Sequence, residues 1–316
     1  MNTKIKPDWA GEDVLSRLVN VLIQTPPIYS LMKHQARRVL ILTAEKNGIP
    51  WRTNYKQLEA SEVKNIFSEI NDKNIIYPDY YQKPFHAYRD GNLCWQAAFE
   101  AESATYSMGL RVWRNENISW ETAHERLRSS FHQVLKDYLP KSVNKVLDIG
   151  CSVGVSTRSL HRYLKENYNT NVRTVGLDLS PYMLAVAKYN DRENEIKWKH
   201  APAENTGFPD DSFDVVTLQF LIHELPHQPT RNILREALRI LRPGGCLGIV
   251  DNNPKSSVIQ NLPPVLFTLM KSTEPWSDQY YTLDVEATLK EIGFEYKTTV
   301  ASDPRHRTII AIKPRH

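Results

Sequence analysis

Val146-Leu147-Asp148-Ile149-Gly150-Cys151-Ser152-Val153-Gly154 is the stretch on which the fold turns: an apolar run passes straight into a glycine turn, and a helical pattern follows from about Thr157 to Asn167. Glycines at such a turn let the backbone approach a ligand with no Cβ in the way, and the helix behind them adds its positive N-terminal end. About 30 residues after Asp148 the next apolar run, Arg173 to Leu177, closes on Asp178-Leu179-Ser180. An acid at the tip of a second strand is placed to accept hydrogen bonds from both hydroxyls of a ribose. A tight turn and a surface acid would account for each piece alone; the order strand, turn, helix, strand, acid points to a nucleoside-bearing ligand.

Outward from this unit, β-branched runs alternate with helical segments, as in a parallel sheet wrapped by helices. Further strands are expected at Ile196 to His200, Asp214 to Gln219 and Gly245 to Val250, with helices at Pro181 to Asp191, Thr230 to Leu241 and Leu283 to Ile292. Glu295 to Ala301 and Thr308 to Ile312, split by Asp303-Pro304-Arg305, read as a closing antiparallel hairpin. The expected fold is therefore α/β: a Rossmann-like, seven-stranded, mostly parallel sheet with a terminal antiparallel hairpin, preceded by a helical cap. Residues 1–139 are assigned to the cap and 140–316 to the sheet, because the texture changes near 140: four of the 12 glycines but five of the seven tryptophans precede it. Within the cap, Val14, Leu18, Val21 and Leu22 share a helix face that the Pro26-Pro27 pair stops. Further amphipathic stretches run from Ile28 to Glu45, Leu93 to Leu110 and Trp120 to Tyr138, the last with Leu127, Phe131, Val134 and Leu135 on one side.

Composition narrows the function. A chain of 316 residues with 41% hydrophobic and 24% charged residues is that of a globular protein, and no apolar run approaches the ~20 residues of a membrane span. Lys4, Lys6, Asp8, Glu12 and Asp13 near the start do not resemble a secretory signal. Three scattered cysteines, Cys94, Cys151 and Cys246, fit a reducing, cytoplasmic setting. The net charge of +4 is spread over both halves, which does not suit a nucleic-acid partner and favours a small-molecule one.

A dinucleotide fingerprint would need G-x-G-x-x-G, but Ser152 and Val155 stand at the later glycine positions. The pattern Asp148-x-Gly150-x-x-x-Gly154 instead resembles motif I of the class I S-adenosylmethionine-dependent methyltransferases. Ala203-Glu204 followed by Phe208-Pro209-Asp210-Asp211-Ser212-Phe213-Asp214 is similar to the family's stretch leading into the fourth strand, and Leu238-Arg239-Ile240-Leu241-Arg242-Pro243-Gly244-Gly245 to its turn into the fifth. The branch it resembles is the small-molecule one of the ubiquinone and menaquinone type (methyltransferase type 11). The resemblance implies S-adenosyl-L-methionine as cofactor, with Asp148, Gly150, Cys151 and Gly154 at its methionine end. It likewise implies Asp178 on the ribose, Leu179 on the adenine, Ala203 and Glu204 at the adenine edge, and Gln219 below the sulfonium. Two departures are Ser152 at the turn's middle glycine, and Pro202 where many members carry an Asp that reads the adenine amino group, a contact then left to Glu204 or a carbonyl.

An electrophilic methyl asks its enzyme to exclude water and align an acceptor; a hydroxyl or acidic carbon also needs a base. His223 and Glu224, just past the fourth strand, are expected to look into the acceptor cavity, Glu224 as a substrate contact and His223 as the candidate base, although a capping or merely lining histidine fits the same position. His227 could pair with it on a metal, but Pro226 and Pro229 interrupt the helix required, so no metal is expected. Tyr81, His86, Tyr88, Tyr106, Trp276 and Tyr280 are candidate acceptor walls, for which plain cap packing is the competing account. Arg37-Arg38 beside Val39 to Leu42 allows peripheral membrane contact without stable insertion; ordinary surface charge is the simpler account. The acceptor is expected to be small and aromatic or lipophilic, methylated at O, N or C. The alternative is a catalytically inactive protein that senses the cofactor or serves as a scaffold.

Overall fold

The strand β1 (Lys145–Ile149) lies near the centre of one seven-stranded sheet, flanked by β2 (Arg173–Asp178) and β4 (Phe213–Gln219). With β3 (Ile196–His200), β5 (Leu241–Asn252), β6 (Glu295–Ala301) and β7 (His306–Ile312) the order is β3-β2-β1-β4-β5-β7-β6. Strands β1 to β5 pair in parallel; β7 runs antiparallel between β5 and β6. The expected mostly parallel sheet with its antiparallel end is what this computed structural model contains, and it describes residues 14–86 and 88–315. The chain-start residues Lys4 to Asp13, and Ala87, lie outside the described residues.

Both faces of the sheet are covered, so β1 and β4 are buried along almost their whole length. On one face Ile233, Leu234, Ala237 and Ile240 of α9 (His227–Ile240) and Val285 and Leu289 of α13 (Val285–Ile292) pack against Leu147, Leu218 and Ile249. On the other, α7 (Val155–Asn167) supplies Leu160 and Leu164. The switch in strand order between β1 and β4 opens a crevice at their carboxyl ends, where ligands of open α/β sheets sit.

The cap holds α1 (Val14–Gln24), α2 (Pro26–Lys46), α3 (Trp51–Glu59), α4 (Val63–Ile70), α5 (Trp95–Val112) and α6 (Trp120–Leu135). Pro26-Pro27 both ends α1 and opens α2, since a first helical turn does not need the missing N–H. The short α3 and α4 escape the periodic reading, as do α10 (Ser257–Gln260), α11 (Pro264–Thr273) and α12 (Ser277–Thr282) between the fifth strand and α13; α8 (Pro181–Asn190) matches its expected span to within a residue. Ile41, Ala44, Ile49 and Trp51 make a small core of the cap's own. Yet Phe131 and Leu135 of α6 sit in one core with Val146, Val215 and Ile310, so packing runs continuously across the sequence boundary near 140.

Candidate active site

The turn after β1 is built around two left-handed glycines, Gly150 (φ +72) and Gly154 (φ +76). A Cβ on Gly154 would stand 2.4 Å from the Trp198 ring, and one on Gly176 2.5 Å from it, so this glycine pair makes room for the β3 indole beneath the loop. Ser152 replaces a glycine at φ +48 and its N–H donates to Asp178 Oδ2 at 2.7 Å. Asp178 also accepts from Ser180 N at 2.8 Å, and burial raises its carboxyl to about 6 against those bonds. Behind the turn, Asp148 is wholly buried: Thr157 Oγ1 and Thr217 Oγ1 each donate to it at 2.6 Å, and Gln219 Nε2 at 3.2 Å.

These elements border a cavity of about 1280 Å³, roomier than the ~300–1,000 Å³ of a pocket for one drug-sized ligand. Gly150, Cys151, Asp178, Leu179, Ala203, Glu204 and Gln219 all line it, as do His223, Glu224, Tyr81, His86 and Tyr88. Five expected residues do not. Asp148 lies one layer behind the wall, held by its threonines, and Gly154 faces Trp198. Tyr106 turns into the cap, donating to Glu102 at 2.8 Å and packing on Trp120. Trp276 donates to the Tyr80 carbonyl at 3.3 Å, and Tyr280 is spent on the Asn252 carbonyl, where it is 1% exposed.

Among the described residues, three non-glycine residues outside the Asn and Asp class hold positive φ, namely His86, Ser152 and Phe220, and all three line this cavity. Such strain persists only where surrounding structure enforces it, and it concentrates at functional sites. His86 is held by its N–H to the Thr273 carbonyl at 2.9 Å. Its Nε2 is 3.8 Å from Glu224 Oε1, which is 4.0 Å from His223 Nε2. The Nδ1 of His223 is 2.8 Å from Oδ1 of Asp251, a 1%-exposed acid at the tip of β5. Burial alone would lower the imidazole, but Asp251, with Glu274 and Glu224 beyond it, outweighs burial and raises it to about 10. Burial raises Glu224 to about 8. His86, His223 and Glu274 offer ligand atoms within 4.8 Å of one another, whereas His227, bonded at its N–H to Gln279 and with its ring at the Gln279 carbonyl, belongs to a different contact.

Sequence reasoning missed Arg128, Asp251 and Glu274. Arg128 is 3% exposed, lines the cavity, stacks 5.2 Å over Phe220, and is lowered to about 10 by burial. A signal existed: positions 128, 131 and 135 share the face of α6 that carries Phe131 and Leu135, so an arginine stands in a core stripe. Tyr80 donates to Glu204 Oε1 at 2.6 Å. Among the described residues, the buried polar atoms bordering the cavity that lack a hydrogen-bond partner include Arg128 Nε and Nη1, Gln219 Oε1, Glu204 Oε2, Tyr81 OH, Trp51 Nε1 and His306 Nε2. Buried polar atoms are rarely left unpaired, so such atoms around one cavity suit a ligand-binding site.

A family model described as a methyltransferase domain matches residues 147–249. The chain is 29% identical over 167 residues to a 2-phytyl-1,4-naphthoquinone methyltransferase of Synechococcus elongatus, covering 50% of this chain and 61% of that one. It is 30% identical over 151 residues to a demethylmenaquinone methyltransferase of Tropheryma whipplei, with 45% and 59% covered. It therefore spans about three fifths of the length of these curated relatives. With an uncharacterized methyltransferase of Synechocystis it shares 31% identity over 166 residues, which is 52% of this chain and 73% of that protein. The chain belongs to the class I S-adenosylmethionine-dependent methyltransferases. The cofactor of this methyltransferase is S-adenosylmethionine, and the unpartnered atoms of the cavity suit it: a guanidinium for a carboxylate, and acceptor oxygens for amino and hydroxyl groups.

Proposed function

We propose that this chain transfers the methyl group of S-adenosylmethionine to a small aromatic or lipophilic acceptor of the quinone or hydroquinone class, at oxygen, nitrogen or carbon. The observation that carries this reading is His223, backed by Asp251, facing the same cavity as the Asp178 carboxylate. The names of the Synechococcus and Tropheryma relatives support the acceptor class.

When bound, the cofactor supplies an electrophilic methyl on a sulfonium. Arg128 would hold its carboxylate and Asp178 its ribose hydroxyls, while Leu179 and Ala203 would line the adenine. Glu204 Oε2 takes the role of reading the adenine amino group, which Pro202 cannot fill. His223 withdraws the proton from an acceptor hydroxyl or acidic carbon, and Asp251 orients the ring and stabilises the imidazolium so formed. Tyr81 and Tyr88 wall the acceptor, the latter fixed because its hydroxyl donates to Glu100 at 2.6 Å. The region before residue 140 thus shapes the acceptor side, and the protein acts in the cytoplasm without a nucleic-acid partner.

The test is transfer of a labelled methyl group from S-adenosylmethionine to a panel of hydroquinones, phenols and amines, read by mass shift. Label on an aromatic acceptor, lost in His223→Ala, is the expected result. Cofactor binding with no transfer to any acceptor would turn the reading toward a sensor.

A further inference from the structure

We infer that the outward face of α1 and α2 docks on an anionic lipid bilayer, and that the acceptor enters the cavity from that surface. The docking stands on the observations below; the entry route rests also on the lipophilic acceptor proposed above. Eight of the thirteen exposed large apolar side chains among the described residues fall within residues 14–46. On α1, Val14, Leu18 and Val21 recur at helical spacing and are 85%, 55% and 60% exposed, while Ser16 and Val19 are buried. On α2, the helix that follows directly, Leu31 is 69% exposed. Water-exposed apolar groups at this density mark an interaction surface.

Charge selects the partner. Residues 14–46 contain Arg17, Lys33, Arg37, Arg38 and Lys46 against a single acid, Glu45. That excess of four equals the net charge of the whole chain, so the remainder is balanced overall. Arg37 is committed inward to the buried Glu100, but Arg17 and Arg38 are exposed. A second copy is the poorer occupant, because a two-fold interface would press this basic patch against itself. Basic groups beside apolar side chains suit an interfacial helix lying on anionic lipid.

Continuity with the site gives the surface its purpose. Met32, Ala36, Val39 and Leu40 of α2 form one wall of the cavity, and Val39 is 55% exposed, so the apolar surface runs from outside to inside along one helix. Among the described residues no helix is long and apolar enough to cross a membrane, so the contact is peripheral.

The experiment is flotation of the full chain with phosphatidylcholine vesicles with and without phosphatidylglycerol. Binding is expected to the anionic vesicles only, to weaken with salt, and to fall at least tenfold in the Leu18→Asp/Leu31→Asp double variant. The Arg17→Glu/Arg38→Glu variant should lose the anionic preference and provides an independent reading should the first fail to fold. With a hydroquinone dissolved in the vesicles, turnover should drop at least tenfold in these variants, while turnover of a water-soluble acceptor stays unchanged. Absence of binding, or equal binding to neutral vesicles, overturns the docking. A dimer in sedimentation that the double variant dissociates, without vesicle binding, assigns the face to a second copy and also overturns it. Retained transfer to the soluble acceptor in either case leaves the methyl-transfer reading standing, whereas vesicle binding without cofactor binding would remove that reading alone.

Discussion

His223 Nδ1 lies 2.8 Å from Asp251 Oδ1, joining the segment after β4 to the tip of β5 at the wall of the cavity. The contact leaves Nε2 directed at the space shared with His86 and Glu224, and it sets the pH at which the ring can act. A base works only when unprotonated, and this imidazole is raised to about 10. The kcat/KM of an acceptor that must lose a proton should therefore rise with pH through the neutral and mildly alkaline range. Glu224, raised to about 8, titrates in the same window, so the limb belongs to the cluster rather than to one residue. Asp251→Asn removes the charge that holds the ring up; the rising limb should move to lower pH while the plateau rate falls. A pH–rate profile that keeps its midpoint in Asp251→Asn would sink the assignment.

Asp178 should govern cofactor affinity. Two charge-assisted hydrogen bonds to a ribose are worth about 3 kcal/mol together, so Asp178→Ala should weaken S-adenosylhomocysteine binding by more than ~100-fold in calorimetry. Since the free carboxyl is raised to about 6, affinity in the unmodified chain should be full above that pH and decline as the acid protonates below it. Near-normal affinity in the variant would remove the cofactor from this part of the cavity.

Arg128 offers a sharper discrimination, because it would hold only the amino-acid end of the cofactor. Arg128→Met should lower affinity for S-adenosylhomocysteine by about 10- to 100-fold. It should leave 5′-methylthioadenosine, which lacks the carboxylate, nearly unaffected. Equal losses for both ligands would mean that Arg128 merely supports the fold through its stack on Phe220.

Gly154 should be a stability site rather than a contact site. Its φ of +76 disfavours any side chain, and a Cβ would meet Trp198 at 2.4 Å. Gly154→Val should therefore destabilise the protein by about 2–4 kcal/mol, read as a lowered denaturation midpoint. Adding Trp198→Leu should recover part of the packing loss but none of the backbone strain.

Much of this protein is legible in its residues because local rules decide it. The run from Val146 into Gly150 announces a strand and a turn, and the spacing to Asp178 announces a second strand with an acid at its end. The period-two and helical patterns after residue 140 predict the seven strands and four of the helices around them, since each must bury one face and the burial writes itself into the sequence. Short helices such as α3 and α4 leave too few turns for a period to appear.

What the tertiary structure alone decided is which residues line the cavity and which face inward. Asp148 and Gly154 belong to the right motif but face threonines and Trp198, and Tyr106 and Tyr280 spend their hydroxyls within the protein. Asp251 reaches His223 from 28 residues away, and Arg128 and Glu274 reach the cavity from α6 and from just beyond α11, because sheet order and helix docking, not chain proximity, set those distances. A sequence specifies what a segment must bury; only the packed chain specifies against what, and the polar atoms left unpaired when packing is complete mark where a ligand belongs.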